Sequence, residues 1–162
     1  MLEAIDTPKY VFLIMEYVGG GSLHGYIKSQ TRKRLNEREA RRIFLQVVKG
    51  IEYCHARCIT HRDIKLENIL LDKDRNVKII DFGFSTCVPN DKKIKIFCGT
   101  PSYMAPEIVN KTEYCGPPAD IWALGILLYA MVNGCFPFRG STDKDLYWRI
   151  TRGTFMMPDH IS

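Results

Sequence analysis

The chain has 162 residues, 46% hydrophobic and 25% charged, the length and composition of one soluble globular domain able to bury a core. Its net charge of +5 is a mild excess, scattered except at Arg32-Lys33-Arg34 and Lys92-Lys93-Ile94-Lys95; solvated loops are the commoner source of such short runs, so no nucleic-acid partner is expected. The longest apolar run, 121–132, is too short to span a bilayer and no signal-peptide pattern opens the chain, so no membrane partner is expected, while six cysteines without a CxxC pair read as reduced thiols of a cytosolic or nuclear protein.

In chain order, Leu2 to Ile5 and Tyr10 to Met15 are short apolar runs around Asp6-Thr7-Pro8-Lys9, which predicts a β-hairpin. Residues 16–21 read as a linker. Their glycines fail the phosphate-loop pattern GxGxxG because His24 stands where the third glycine belongs. Ser22 opens a short helix over Leu23, Tyr26 and Ile27. Asn36 and Glu39 resemble a capping box. After them Ala40, Ile43, Phe44, Val47, Val48, Ile51 and Cys54 recur at helical spacing, predicting an amphipathic helix that ends within 54–58. The Cys54-His55-Ala56-Arg57-Cys58 group, tested together with His61, matches no usual zinc spacing.

The stretch from His61 to Gly83 carries the densest chemistry. Ile69 to Leu71 and Val77 to Ile80 flank the turn formers 72–76, predicting a second hairpin. Asp63 and Asn68 lie on its way in and Asp81 on its way out, and an antiparallel pairing sets entrance and exit side by side. Hard oxygen donors grouped this way, near the ammonium of Lys65, suit Mg2+, which keeps waters and takes further ligands from substrate phosphates. Taken singly, each of these residues reads equally well as a turn or cap. Further on, Pro117-Pro118 set up a helix from about Ala119 to Asn133, stopped by Gly134 and apolar nearly all round, as a buried helix is. A shorter helix spans about Thr142 to Arg152. No internal repeat is evident.

Three of these motifs share an order and a context. His61-Arg62-Asp63-x-Lys65-x-x-Asn68, Asp81-Phe82-Gly83 and the stretch from Gly99 to Ala105-Pro106-Glu107 resemble the catalytic loop, the metal-binding loop and the end of the activation segment of eukaryotic protein kinases. The resemblance is loosest at subfamily level, where it points to the calmodulin-dependent and AMP-activated group. It implies an α+β, kinase-like fold in an incomplete domain: 1–15 the end of the small lobe, 16–21 the hinge, 22–162 a truncated large lobe. It also implies a serine/threonine kinase that transfers the ATP γ-phosphate to protein hydroxyls, with ATP and Mg2+ as cofactors and protein substrates and regulators as partners. Asp63 would accept or orient the attacking hydroxyl's proton. Lys65 would touch the transferring phosphate, and a lysine there is typical of the Ser/Thr branch. Thr100 would tie the activation segment to both. Asn68 and Asp81 would hold Mg2+. Met15 would be the gatekeeper, Glu16 and Val18 would offer backbone groups to adenine, and Leu70 would form the floor beneath it. Asp120 would brace the catalytic-loop backbone, and His61 and Phe82 would stack as packing.

Two departures bear on regulation and specificity. Ile96 occupies the position, four before Thr100, where many kinases with an arginine before the catalytic aspartate (here Arg62) carry a phosphothreonine. Activation is therefore expected not to use that site. Ser22 stands where basophilic kinases often have a glutamate, while Glu67 remains, so a preference for basic substrates is expected to be weakened. The Gly-rich loop, the phosphate-pairing lysine and the helix glutamate that accompanies it would precede Leu2. If Met1 is the true start, half the nucleotide site is absent. Two readings follow: a partial sequence of an active kinase, or a short, catalytically incompetent product acting as a binding or regulatory module. The retained Asp63, Asn68 and Asp81 favour the first.

Overall fold

A computed structural model describes residues 2–89, 92–159 and 161. The element order is β1 (Glu3–Asp6), β2 (Val11–Ile14), α1 (Leu23–Ser29), α2 (Glu37–His55), β3 (Ile59–Thr60), β4 (Ile69–Leu71), β5 (Val77–Ile79), β6 (Thr86–Cys87), α3 (Pro106–Val109), α4 (Gly116–Asn133) and α5 (Asp143–Arg152). Strands pair only two by two: β1 with β2, β3 with β6, β4 with β5, all antiparallel.

The core forms where the two long helices meet. Ala40, Ile43, Val47 and Ile51, one face of α2, are at most 1% exposed, and they share a cluster with Leu127 and Met131 of α4. Asn36 caps α2 as its sequence predicts, its Oδ1 accepting from the Glu39 amide at 2.9 Å. The Glu39 carboxylate does not close the box; it accepts from the Tyr26 hydroxyl at 2.7 Å and from Arg75 Nη1 at 2.6 Å. A cap residue is thereby diverted to pin the β4–β5 turn onto α1 and α2. Helix α4 starts three residues earlier than expected, at Gly116, because the prolines sit in the first turn, where no amide is needed for the ladder. Gly134 ends it at φ 71°. A Cβ there would lie 2.3 Å from the Lys33 carbonyl, so the stop is steric as well as conformational.

A second cluster, Ile94, Ala105, Ile108, Tyr114 and Ala119, fastens the segment after β6 to the start of α4. The β1–β2 hairpin is the contrast: all eight of its residues are exposed, including Phe12 and Leu13. A two-stranded hairpin without a covered face is marginal in water. All six cysteines are free, and among the described residues no helix is long and apolar enough to cross a membrane.

Candidate active site

The site is built from below by one buried carboxylate. Asp120, on the first turns of α4 and 1% exposed, accepts from the backbone amides of His61 and Arg62, both at 2.9 Å, and from His55 Nε2 at 2.7 Å. It thus ties the end of α2 to the loop that follows β3. Arg62 sits at φ 68°, a conformation a side-chain-bearing residue holds only when its surroundings dictate it; the Asp120 bond to its amide is one such constraint. His61 is fully buried. Its Nδ1 accepts from the Asp63 amide at 3.2 Å, which leaves Nε2 as the protonated nitrogen donating to the Ile80 carbonyl at 3.1 Å. Its ring meets Phe82 edge-on at 4.7 Å. The Cys54–Cys58 region is therefore engaged through His55 in this brace, and His61 in orienting the loop.

Above the brace lies Asp63, 3% exposed. Its Oδ1 accepts from Thr100 Oγ1 at 2.7 Å. Its Oδ2 accepts from Lys65 Nζ at 2.5 Å and from Asn68 Nδ2 at 3.1 Å. Lys65 reaches Thr100 Oγ1 as well, at 3.1 Å. Two carboxylate oxygens offer about four acceptor positions. Three are filled, by Thr100, Lys65 and Asn68. Asn68 also donates to the Asp63 carbonyl at 2.9 Å, so its amide nitrogen is committed and its Oδ1 is turned away from those bonds. Beneath, the Leu66 amide donates to the Tyr103 hydroxyl at 3.2 Å, whose pKa burial pushes up, so that it stays a neutral phenol.

Pairing of Ile69 with Ile79, and a bond from the Ile80 amide to the Asn68 carbonyl at 3.0 Å, set Asn68 and Asp81 at the same end of the β4–β5 hairpin. Asp81 is exposed, at φ 62°, with one oxygen accepting from the Gly83 amide at 3.2 Å. An exposed carboxylate and an amide oxygen are a donor set that suits Mg2+ and leaves its other positions to water or phosphate.

The remaining predicted residues lie on β4 and on the stretch between β2 and α1. The Leu71 amide donates to the Gly21 carbonyl at 2.9 Å and Ser22 bridges Leu70, so the linker 16–21 runs alongside β4. Gly20 makes that approach possible: a Cβ there would stand 2.3 Å from the Leu71 carbonyl oxygen. Lys78, opposite Leu70 on β5, holds the Glu16 carboxylate at 3.0 Å. Met15 lies just past β2, 63% exposed, and Val18 is half-buried. The structure thus brings Asp63, Lys65, Thr100 and Asn68 into direct contact, sets Asp81 beside Asn68, and places Glu16 and Leu70 against neighbouring positions of the hairpin. Sequence reasoning passed over His55 as a positioning residue and Tyr103 as a loop anchor. His55 was visible only as part of a Cys/His group, and Tyr103 only as an unremarked position in a motif.

The chain belongs to the protein kinase family: a sequence model of the family described as Protein kinase domain matches residues 1–161. It is 42% identical over 160 residues to the SNF1-related protein kinase catalytic subunit alpha KIN12 of Arabidopsis thaliana, and 47% identical over 156 residues to the NUAK family SNF1-like kinase 1 of Homo sapiens. These alignments cover 99% and 96% of this chain but 32% and 23% of the two relatives, so the chain spans a third or less of their length. The resemblance to the AMP-activated kinase group, drawn from the motifs, is borne out by these SNF1-related relatives.

Proposed function

We propose that this chain carries the catalytic-loop half of a serine/threonine protein kinase acting on protein hydroxyls in the cytosol or nucleus. The observation that supports it best is the state of Asp63: buried, and tied by Thr100, Lys65 and Asn68 into one hydrogen-bonded cluster. Asp63 takes or orients the hydroxyl proton as the oxygen attacks phosphorus. Lys65 faces the charge that develops on the transferred group. Thr100 locks both, and couples their position to the segment that follows β6. Asn68 Oδ1 and Asp81 hold Mg2+, which when bound neutralises the charge of the ATP phosphates. Met15 and the backbone of Glu16 and Val18 line the adenine side, over Leu70. By this reading 1–15 end the small lobe, 16–21 form the hinge and 22–162 belong to the large lobe.

A threonine series tests the lock. Removing a hydrogen bond to a charged group costs about 1.5–3 kcal/mol. With flanking kinase sequence restored, Thr100→Ala is expected to lower kcat roughly ten- to a hundred-fold, and Thr100→Ser to stay near the parent rate. Equal rates in all three would remove Thr100 from the mechanism.

Activation by phosphate at position 96 is not part of this proposal. Ile96 is held by backbone instead: its carbonyl accepts from the Tyr114 hydroxyl at 3.2 Å. Ile94 pairs with Tyr114 in an antiparallel bridge, and Lys95 meets Glu113 at 3.2 Å. Arg62 Nε donates to the Phe84 carbonyl at 2.5 Å. Activity is expected not to depend on a phosphate paired with Arg62 from position 96, and Tyr114→Phe is expected to lower the rate several-fold. Phosphate mapped to another activation-segment residue whose loss abolishes activity would leave only part of the first expectation standing.

The exposed apolar side chains of β1 and β2 favour one second reading, a non-catalytic module that docks a partner through this hairpin. Robust turnover by the 162-residue chain alone would sink it.

A further inference from the structure

Two of the six free cysteines stand at the neck of the catalytic segment. Antiparallel pairing of β3 with β6 sets Ile59 opposite Cys87, and the Val88 amide donates to the Cys58 carbonyl at 3.0 Å. Cys58 therefore faces Val88 and lies one step along the ladder from Cys87. Opposed Cα atoms are about 4.5–5.5 Å apart and each step adds about 3.4 Å, which sets the two cysteine Cα atoms about 6 Å from each other. A disulfide spans about 4.4–6.8 Å between Cα atoms. In a regular strand, neighbouring positions would send their side chains to opposite faces. Cys58 escapes that alternation, because it precedes β3 at φ 58°, in the left-handed region. The Cys87 thiol in turn reaches the Arg57 carbonyl, part of the peptide bond that enters Cys58, at 4.0 Å. Cys87 is exposed and Cys58 half-buried, so a small reagent in solvent meets Cys87 first.

Residues 58–87 enclose Asp63, Asn68 and Asp81. We propose that Cys58 and Cys87 form a reversible disulfide on exposure to hydrogen peroxide, closing this segment at its neck. Cys87, as its thiolate, attacks one peroxide oxygen; the O–O bond breaks, the other oxygen leaves as water with the thiol's proton, and Cys87 becomes a sulfenic acid. The Cys58 sulfur then attacks the Cys87 sulfur; the S–O bond breaks and a second water leaves with the Cys58 proton. Two thiols thus give two electrons to the peroxide, and a dithiol reductant returns them by exchange. In a cytosolic or nuclear protein such a bond is transient and redox-sensing rather than structural. Its formation depends on the thiols alone, while its bearing on phosphotransfer rests on the kinase reading.

The test treats the 162-residue chain with hydrogen peroxide, alkylates the remaining thiols and maps cross-linked peptides by mass spectrometry. A peptide pair joining Cys58 to Cys87 is expected, lost on adding dithiothreitol and absent from Cys58→Ser and Cys87→Ser. A cross-link constrains the unfolded chain, so the oxidised parent is expected to melt about 5 °C or more above its reduced form, with no gain in either serine variant. Cys87 carried on to sulfinic acid, or joined to another cysteine, would overturn the assignment, and so would a melt unmoved when the bond forms. With flanking kinase sequence restored, the oxidised chain is expected to keep its transfer rate within about two-fold, because the bond joins positions that are already neighbours. A rate lost on oxidation and regained on reduction would overturn that consequence. No phosphate transferred in either state counts against the kinase reading alone.

Discussion

Asp81→Asn is expected to abolish phosphotransfer while leaving the fold intact. The second half follows from geometry. Asp81 is exposed at φ 62°, and asparagine tolerates the left-handed region at least as well as aspartate. Its side-chain oxygen can still accept from the Gly83 amide. The first half follows from charge. Asn68 supplies only a neutral oxygen, so Asp81 is the anionic member of the pair proposed to hold the metal, and a neutral amide there binds a divalent cation far more weakly. In the chain with flanking kinase sequence restored, the measurement is γ-phosphate transfer beside a thermal melt: a rate down by about a hundred-fold or more, in keeping with the size of lost electrostatic stabilisation at such sites, and a Tm within about 2 °C of the parent. A variant that keeps its rate would remove Asp81 from the site. One that loses rate and melts early would show a structural role instead.

Asp120→Ala carries the largest expected effect on stability. The carboxylate holds three donors inside the core, and deleting it strands the amides of His61 and Arg62 together with the His55 ring. Breaking a buried charged network by removing one partner costs about 3–5 kcal/mol. For a chain of this size each kcal/mol lowers Tm by about 2–4 °C, so a drop of about 10 °C is expected. Asp120→Asn keeps one acceptor oxygen and should fall between. His55→Ala should cost less than Asp120→Ala, since it leaves both backbone bonds in place. A melt of Asp120→Ala within 2 °C of the parent would mean that the loop holds its positive-φ arginine by other contacts.

The local elements were legible because their causes are local. Asn36 and the three-four rhythm of Ala40 to Ile51 produce α2, and the turn formers 72–76 between two apolar runs produce the β4–β5 hairpin. Prolines and Gly134 bracket α4 within three residues of the expected start. The half-formed capping box shows where such reasoning stops: Glu39 has the right spacing, yet Tyr26 and Arg75, brought in by packing, compete for its carboxylate and win it. The same holds for His55, whose partner is 65 residues away.

What the amino-acid sequence determined by itself is therefore the kinase motifs, the helices and hairpins that carry them, and the pairing of Asn68 with Asp81 at one hairpin end, since each depends on backbone preferences and periodicities acting over a few residues. Only the tertiary structure decided that the Asp120 brace would also take in His55, that the linker would lie against β4 beside Leu70, and that Lys28 and Lys33 would share a groove with Glu67. Those arrangements depend on how α1, α2 and α4 pack, and packing joins side chains whose separation along the chain carries no local signal.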